Sequence, residues 1–239
     1  MILTAHQPVY LPWLGLFHKI ALADVFVSFN QVQYLPKDWN NRNRIKTSAG
    51  ETMLTVPVLG QGHRDKAISE IEIKDSFWQK KHWKTIRLNY QKTPYFKNYE
   101  SFFEDVYVKK EWTSLTKLNE YMLKWFRDTL GINVKLLDAG DYDFTGEKND
   151  LVLDMCRQLE ATTYIFGTLG RDYADVESFD RAGVNIIFQD YNHPHYAQLH
   201  GDFISHLSII DLLFNCGDKS LEILMSGNLT REDIISSRI

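Results

Sequence analysis

The chain has 239 residues, of which 44% are apolar and 24% are charged, and its formal net charge is -4. This length fits one folded domain, and the apolar and aromatic content excludes a disordered chain. The acidic balance disfavours a protein that binds nucleic acid over a broad surface, although it allows a local basic patch.

The sequence carries no pattern typical of membrane insertion, secretion or disulfide bonding. No apolar run approaches the roughly 18 residues of a membrane span, and the first residues lack the charged region and cleavage site of a signal peptide. The two cysteines, Cys156 and Cys216, predict no disulfide framework and no cysteine metal site. The apolar helical spacing around Cys156 indicates a core residue. We therefore expect a cytoplasmic protein without a membrane span.

The chain opens with a strand, a loop, a helix and a second strand. We predict the strands over residues 1–5 and 25–29, with a loop of two prolines over 6–13 and a buried helix over 14–22 between them. The long polar segment 30–50 favours a binding loop. Two further strands, over 53–58 and 68–73, are predicted on either side of a turn at residues 60–62.

A helical segment follows. Ser76 and Gln79 have the spacing of a capping box, which predicts a helix from there to about Tyr90. Apolar residues at helical spacing predict another helix from Leu115 until Gly131 ends it. We therefore predict a mainly helical insertion at about residues 76–130.

Strands and helices alternate in the rest of the chain. The pattern predicts strands over 134–137, 163–166 and 185–188, and helices over 147–160, 176–182, 207–214 and 219–225. Thr230 and Asp233 have the spacing that caps a last helix. Such alternation predicts an α/β fold, a mainly parallel sheet with crossover helices in Rossmann-like layers, as a single domain over residues 1–239.

The loop after the first strand is the first candidate site. His6 and Gln7 lie just beyond the carboxyl end of that strand, which is where ligands bind in a doubly wound sheet. The two prolines of the loop would hold Tyr10 and Trp13 as a rigid aromatic wall. A proline-stiffened turn with a structural role alone is the alternative.

A basic segment at residues 37–46 is the second candidate. It holds four cations, three asparagines and one acidic residue in a chain that is acidic overall. A guanidinium fork suits phosphate, asparagine can read a sugar or base edge, and tryptophan can stack on a ring. The segment therefore predicts a site for a phosphorylated ligand, with a solvated basic loop as the alternative. The candidate residues are Trp39, Arg42, Asn43, Arg44 and Lys46.

Histidines gather beyond the last predicted strand. Four of the chain's eight histidines lie between His193 and His206. A neutral imidazole can accept a proton near pH 7, so the segment predicts a general base, for which His193 is the candidate. A metal site and histidines that only fill turns are the alternatives, and because no zinc spacing such as HExxH is present, we predict no metal. The other candidate ligand-binding residues here are Asp190, Tyr191, His195 and His200.

A glycine-bearing turn after the strand at 163–166 gives a weaker signal. The turn includes Gly167 and Arg171, and its backbone N–H groups could bind an anion.

Several motifs stand in a fixed order along the chain. They are HQPVYLPWLGLFHKIALADVFV at 6–27, VQY at 32–34, WNNRNRIK at 39–46, LTVPV at 54–58, FQDYNHPHYAQLHGDF at 188–203 and LSIIDLLFNCG at 207–217. This set resembles the WbqC-like family of bacterial proteins over nearly the whole chain, and it adds Gln33 and Tyr34 to the candidate site. One departure is the run of residues 29–31, where we expected acidic residues, and this argues against a carboxylate role there.

The resemblance implies a role in bacterial surface polysaccharide, the O-antigen of lipopolysaccharide, where the family's proposed activity transfers glycine to an amino sugar. It implies an N-acyl or aminoacyl transferase that acts on the amine of a nucleotide-linked amino sugar. The acyl donor would be a thioester on a carrier-protein phosphopantetheine or on coenzyme A, and no tightly bound cofactor is expected.

Such a reaction assigns roles to the candidate residues. Arg42, Arg44 or Lys46 would bind the pyrophosphate. His6 or His193 would take the proton of the attacking amine, and Gln7 or the backbone of residues 167–171 would stabilise an oxyanion.

Two other classes of function stay open. A nucleotidylyl transferase that activates its substrate with ATP is one, although its HxGH motif is absent. A non-catalytic module that binds a nucleotide sugar is the other.

Overall fold

The computed structural model describes residues 1–60 and 65–236. Its strands in chain order are β1 (Ile2–His6), β2 (Val25–Ser28), β3 (Arg42–Thr47), β4 (Gly50–Thr55), β5 (Lys135–Asp138), β6 (Thr163–Phe166) and β7 (Asn185–Phe188). Its α-helices are α1 (Leu14–Ala21), α2 (Phe77–Tyr90), α3 (Phe96–Glu104), α4 (Leu115–Thr129), α5 (Lys148–Gln158), α6 (Val176–Arg181), α7 (Ile209–Cys216), α8 (Ser220–Met225) and α9 (Arg231–Ser236).

Five strands form one parallel sheet in the order β5-β2-β1-β6-β7. β1 is the central strand, and its Thr4 lies opposite Phe26 of β2 on one side and Ile165 of β6 on the other. The chain therefore winds from β1 outward to β5, returns, and winds from β6 outward to β7. This confirms the predicted α/β fold with a mainly parallel sheet. It also places a topological switch point at the carboxyl ends of β1 and β6.

Helices cover both faces of the sheet because successive side chains of β1 point in opposite directions. Leu3 packs with Met155 and Cys156 of α5 on one face, whereas Ile2 packs with Phe17 of α1 on the other. Each fully buried side chain of this kind contributes roughly 1.5–3 kcal/mol. The predicted core position of Cys156 is confirmed, since its side chain is 1% exposed.

The polar segment predicted to be a loop contains a strand of the second, two-stranded sheet. β3 pairs antiparallel with β4, and Arg42 lies opposite Thr55 and Thr47 opposite Gly50. Asn43 and Ile45 are buried on the inner face of β3, which gives this polar run the alternation of a strand. The loop prediction is therefore wrong for residues 42–47, because the charged side chains obscure the alternation of buried and exposed residues that marks a strand.

The strand predicted over residues 68–73 is also wrong. Ile68–Glu70 forms a turn of 3-10 helix, and an isolated bridge joins Val58 to Ile73. The strand predicted over 53–58 begins earlier, as β4, and takes β3 as its partner. The turn predicted at residues 60–62 falls largely outside the described residues.

Residues 77–129 are mainly helical, and a π-helical turn at Asp105–Lys109 follows α3. Trp83 of α2 stacks on Phe96 and Phe103 of α3 with ring centroids 6.0 and 6.5 Å apart. Aromatic contacts of this kind hold the helices together.

Of the two helix caps predicted, the one at α2 is wrong and the one at α9 is confirmed. Ser76 makes no side-chain cap at the start of α2, so the capping box predicted there is wrong. Gln79 instead donates to the carbonyl oxygen of Val106, which ties α2 to the π-helical turn. At α9, Thr230 and Asp233 exchange the reciprocal hydrogen bonds that were predicted.

Within residues 1–60 and 65–236, the helices are too short or too polar to cross a membrane.

Candidate functional site

A cavity of about 570 Å³ lies at the switch point of the sheet. Residues at the carboxyl ends of three strands line it, namely His6 as the last residue of β1, Gly167 after β6 and Asp190 after β7. Its size lies within the range of about 300–1,000 Å³ that small-molecule sites occupy. The predicted site residues on its lining are His6, Gln7, Trp13, Trp39, Gly167, Asp190 and Tyr191.

His6 and Gln7 present polar atoms at the end of β1. His6 Nδ1 lies 2.8 Å from the carbonyl oxygen of Gln7. Because a carbonyl only accepts, the neutral ring carries its proton on Nδ1, and Nε2 is left as an acceptor. Burial and the charge of Lys19 lower the pKa of His6 to about 4, so the imidazole is neutral at pH 7. Gln7 Oε1 accepts from Asn40 Nδ2 at 3.2 Å, which orients its amide.

Lys19 lines the same cavity and is not among the residues predicted for the site. It lies on α1, and its Nζ donates to the carbonyl oxygen of Ala5 at 3.0 Å. The side chain is 4% exposed, and burial lowers the pKa of Lys19 to about 8. A signal for it exists in the sequence, because His18 and Lys19 interrupt an otherwise apolar helix and lysine is seldom fully buried.

Aromatic rings form one wall of the cavity. The ring of Trp13 meets Tyr191 edge-on at 5.6 Å and stacks on His206 at 5.4 Å, and all three residues line the cavity. Trp39 also lines it, and the Arg44 guanidinium lies 5.5 Å from its ring centroid. Such flat surfaces allow a sugar or base ring to stack.

Gly15 allows Trp13 to lie close to α1, and its replacement by alanine is expected to destabilise the fold. A Cβ at Gly15 would lie 2.3 Å from the Trp13 ring, so the ring would have to move. We expect a loss of about 1–3 kcal/mol in the free energy of unfolding, the usual effect of overpacking. Urea denaturation measures it. Gly167→Ala is the matched control, since a Cβ there meets no atom within 4 Å. Equal stability of both variants and the parent would contradict the close contact.

The basic segment lies outside the lining of the cavity apart from Trp39 and its neighbours Asp38 and Asn40. Arg44 pairs with Glu51 at 3.0 Å across the two-stranded sheet. Asn43 is buried, and its Nδ2 donates to the carbonyl oxygen of Leu11 at 2.7 Å. These side chains therefore support the fold around the site.

Lys46 and the histidine-rich segment meet in a buried polar network. Lys46 Nζ donates to Gln198 Oε1 at 3.0 Å. The Asp211 carboxylate accepts hydrogen bonds from the hydroxyl groups of Tyr90 at 2.8 Å and Tyr196 at 3.0 Å. Buried polar groups need such partners, so much of the polar density at residues 190–211 serves the interior.

His193 lies beside His206 and not on the lining of the cavity. Their ring centroids are 5.1 Å apart. His193 Nδ1 lies 2.9 Å from the Pro194 carbonyl oxygen, and its Nε2 is buried without a hydrogen-bond partner in the described structure. Burial lowers the pKa of His193. Of the two predicted bases, His6 is therefore the one whose side chain borders the cavity.

The predicted site residues outside the lining make other contacts. They are Tyr10, Gln33, Tyr34, Arg42, Asn43, Arg44, Lys46, Arg171, His193, His195 and His200. The Tyr10 hydroxyl lies 2.8 Å from His82 Nδ1 in the core. The Arg171 guanidinium lies 4.9 Å from the ring centroid of Phe188.

Carboxylates reach Asn30 from distant parts of the chain. Asn30 Nδ2 donates to Asp138 at 2.9 Å and to Glu120 at 3.3 Å. Burial and the nearby charge of Asp138 raise the pKa of Glu120. Carboxylates from α4 and β5 thus lie beside Asn30. Across the described residues, no three His, Cys, Asp or Glu side chains gather as metal ligands would.

Comparison with known proteins places the chain in a family. A family model described as the WbqC-like protein family matches residues 7–223. The chain is 36% identical over 219 residues to Uncharacterized protein Rv1507c of Mycobacterium tuberculosis (strain ATCC 25618 / H37Rv), which covers 91% of this chain and 95% of that protein. No solved structure matches the chain. The chain belongs to the WbqC-like protein family, as its motifs predicted.

Proposed function

We propose that this protein is an N-acyl or aminoacyl transferase that acylates the amine of a nucleotide-linked amino sugar for bacterial surface polysaccharide. The observation that carries the proposal is the position of His6. Its Nε2 is an acceptor without a hydrogen-bond partner in the described residues, and its side chain borders a cavity large enough for a small substrate. Membership of the WbqC-like family supports the substrate class.

The proposed reaction joins the acceptor amine to the acyl group of a thioester. The amine nitrogen attacks the thioester carbonyl, and a C–N bond forms as the C–S bond breaks. One proton leaves the nitrogen for His6 Nε2 and passes on to the departing thiolate. The products are an amide and a free thiol, and His6 is neutral again at the end of the cycle.

His6 suits this role although it is a weak base. The pKa of about 4 keeps the imidazole unprotonated at neutral pH, so the acceptor lone pair is present in essentially every molecule. The attacking nitrogen becomes acidic once its bond to the carbonyl carbon has formed, and a weak base then suffices.

Gln7 is placed to stabilise the oxyanion of that intermediate. Its Oε1 is occupied by Asn40, and no hydrogen bond of the described residues involves its Nε2. The amide hydrogens can therefore donate to an oxygen in the cavity, and a donor that is already oriented stabilises developing charge without reorganisation.

The cysteines favour direct attack by the amine over an acyl-enzyme. Burial raises the pKa of Cys156 to about 12 and that of Cys216 to about 11. Neither thiol is ionised near neutral pH, and the thiolate is the nucleophilic form of cysteine. Neither residue lines the cavity.

Mass spectrometry of a defined reaction mixture tests the proposal. The purified protein is incubated with nucleotide-linked amino sugars and with glycyl or acetyl thioesters of coenzyme A and of a phosphopantetheinylated carrier protein. We expect the sugar nucleotide to gain the acyl mass and a free thiol to appear in equal amount. Reactions without protein are the control.

Other outcomes identify the competing functions. Release of pyrophosphate from ATP would indicate a nucleotidylyl transferase. Binding of the sugar nucleotide without turnover in any mixture would indicate a binding module and would contradict the proposal.

A further inference from the structure

The cavity at the switch point is lined by a buried lysine, Lys19. Among the described residues that line the cavity, Lys19 is the only lysine or arginine. The ammonium group lies beside the carboxyl end of β1, because Nζ donates to the carbonyl oxygen of Ala5 at 3.0 Å. The residue is 4% exposed. A positive charge is thus held inside the site.

That charge has little compensation from the protein. An ammonium has three donors, and the hydrogen bonds of the described residues give Lys19 one acceptor. Two carboxylates, Asp38 and Asp190, line the same cavity, but no ion pair of the described residues joins either of them to Lys19. Burial is the cause that lowers the pKa of Lys19 to about 8, so the side chain is still mostly charged at pH 7. Burial of an unpaired charge is unfavourable, and an anion in the cavity would supply the missing counter-charge and acceptors.

The other cations expected to bind phosphate are engaged elsewhere. Arg44 pairs with Glu51, and Lys46 Nζ is bonded to Gln198. Neither borders the cavity, and Arg42 does not border it either. Of these cations, Lys19 is therefore the one placed to bind an anionic group inside the cavity.

The surroundings of Lys19 indicate the class of anion. The cavity lies at the switch point of a parallel sheet, where mononucleotides and dinucleotides bind in α/β proteins. The aromatic rings of Trp13, Trp39 and Tyr191 lie on the same lining, and Trp39, at 42% exposure, leaves ring surface open to a base or sugar. A lysine binds phosphate as a compact point charge.

We propose that Lys19 binds the phosphates of a nucleoside 5′-diphosphate group in the switch-point cavity. Nucleotide sugars and coenzyme A both contain this group. The inference rests on the proposed function only where it names the natural ligand, because the proposed function makes the diphosphate part of the acceptor sugar nucleotide. Lys19 is then a binding residue, and the rest of the substrate extends along the lining toward His6.

Isothermal titration calorimetry of the full chain tests the inference. The probes are UDP, dTDP, coenzyme A and uridine, each titrated at pH 7 into the parent protein, Lys19→Met, Lys19→Arg and Lys80→Met. Lys80 is exposed on α2 and serves as the matched control. We expect Lys19→Met to weaken binding of the nucleoside diphosphates by about ten- to a hundredfold, the effect of losing a charged hydrogen bond. Uridine affinity is expected to be unchanged by each substitution.

The pH dependence of binding gives a second readout that does not need the methionine variant to fold. UDP affinity of the parent is expected to fall as the pH rises through the Lys19 pKa of about 8, because the ammonium loses its proton. Lys19→Arg keeps its charge above pH 8, so its affinity, measured relative to its own value at pH 7, should not show that decline.

The outcomes separate this inference from the proposed function. Equal UDP affinity in the parent and Lys19→Met would overturn it, and so would an equal loss of uridine and UDP affinity. Failure of every nucleoside diphosphate to bind the parent would overturn it too. Tighter binding of coenzyme A than of UDP would assign the subsite to the acyl donor. Lys19-dependent UDP binding without amide formation would leave the inference standing and contradict the transferase.

Discussion

Replacing His6 with Gln is expected to lower the rate of amide formation by about 10²–10⁴-fold, the usual contribution of a general base. Glutamine keeps a side chain of similar length but cannot take up a proton near neutral pH. The imidazole Nε2 that borders the cavity is lost, whereas the strand β1 that carries it is held by its neighbours β2 and β6. The measurement is the turnover number for the acylated sugar nucleotide, followed by mass spectrometry.

Two readouts separate loss of the base from loss of the site. UDP affinity of His6→Gln is expected to match or exceed that of the parent, because the group proposed to bind phosphate is Lys19. The thermal unfolding temperature is expected to stay close to that of the parent. Full turnover by His6→Gln would refute the general-base role, even if the protein proves to be a transferase.

Replacing Lys19 with Met is expected to raise the free energy of unfolding at pH 7 by up to about 3 kcal/mol. The physical reason is the buried charge. The pKa of Lys19 falls from its ordinary value of 10.5 to about 8 in the folded protein, so folding disfavours the charged form. Methionine fills similar space and leaves no charge without a counter-ion. Urea denaturation of both proteins measures the difference.

The gain in stability on replacing Lys19 with Met depends on pH, and its pH range follows from the pKa of Lys19. Below about pH 8 the side chain is charged in both the folded and the unfolded chain, and the full penalty is present. As the pH rises from about 8 to 10.5, the folded protein loses its proton first, so the parent gains stability relative to Lys19→Met. Above 10.5 the contribution of the Lys19 charge to the difference should vanish.

Lys80→Met again provides the control, because the exposed side chain has no desolvation to relieve. Its stability should stay within about 0.5 kcal/mol of the parent. If Lys19→Met is no more stable than the parent at pH 7, then the folded protein already neutralises the ammonium. A gain in stability with a loss of UDP binding would show that Lys19 is retained for function at the expense of stability.

The parallel sheet with helices on both faces could be predicted because its signals are local. β6 and β7 lie at the predicted residues, and α1, α5 and α6 lie within two residues of their predicted bounds. Apolar strands and amphipathic helices carry their period within a few neighbouring residues. β3 was missed because its alternation is carried by Asn43 and Ile45 amid cations, which resembles a solvated loop.

The sequence by itself therefore determined the α/β architecture, the family and the position of His6 and Gln7 at the end of β1. Tertiary structure alone decided which polar side chains border the cavity. Lys46 bonds to Gln198, 152 residues away, and Tyr90 to Asp211, 121 residues away. Such side-chain partners stabilise a cation or a carboxylate in the interior, whereas Lys19 donates only to the backbone carbonyl oxygen of Ala5 among the described residues and lies at the cavity. The physical reason is that desolvation and pairing depend on groups brought together by the whole fold, and no local pattern of residues encodes them.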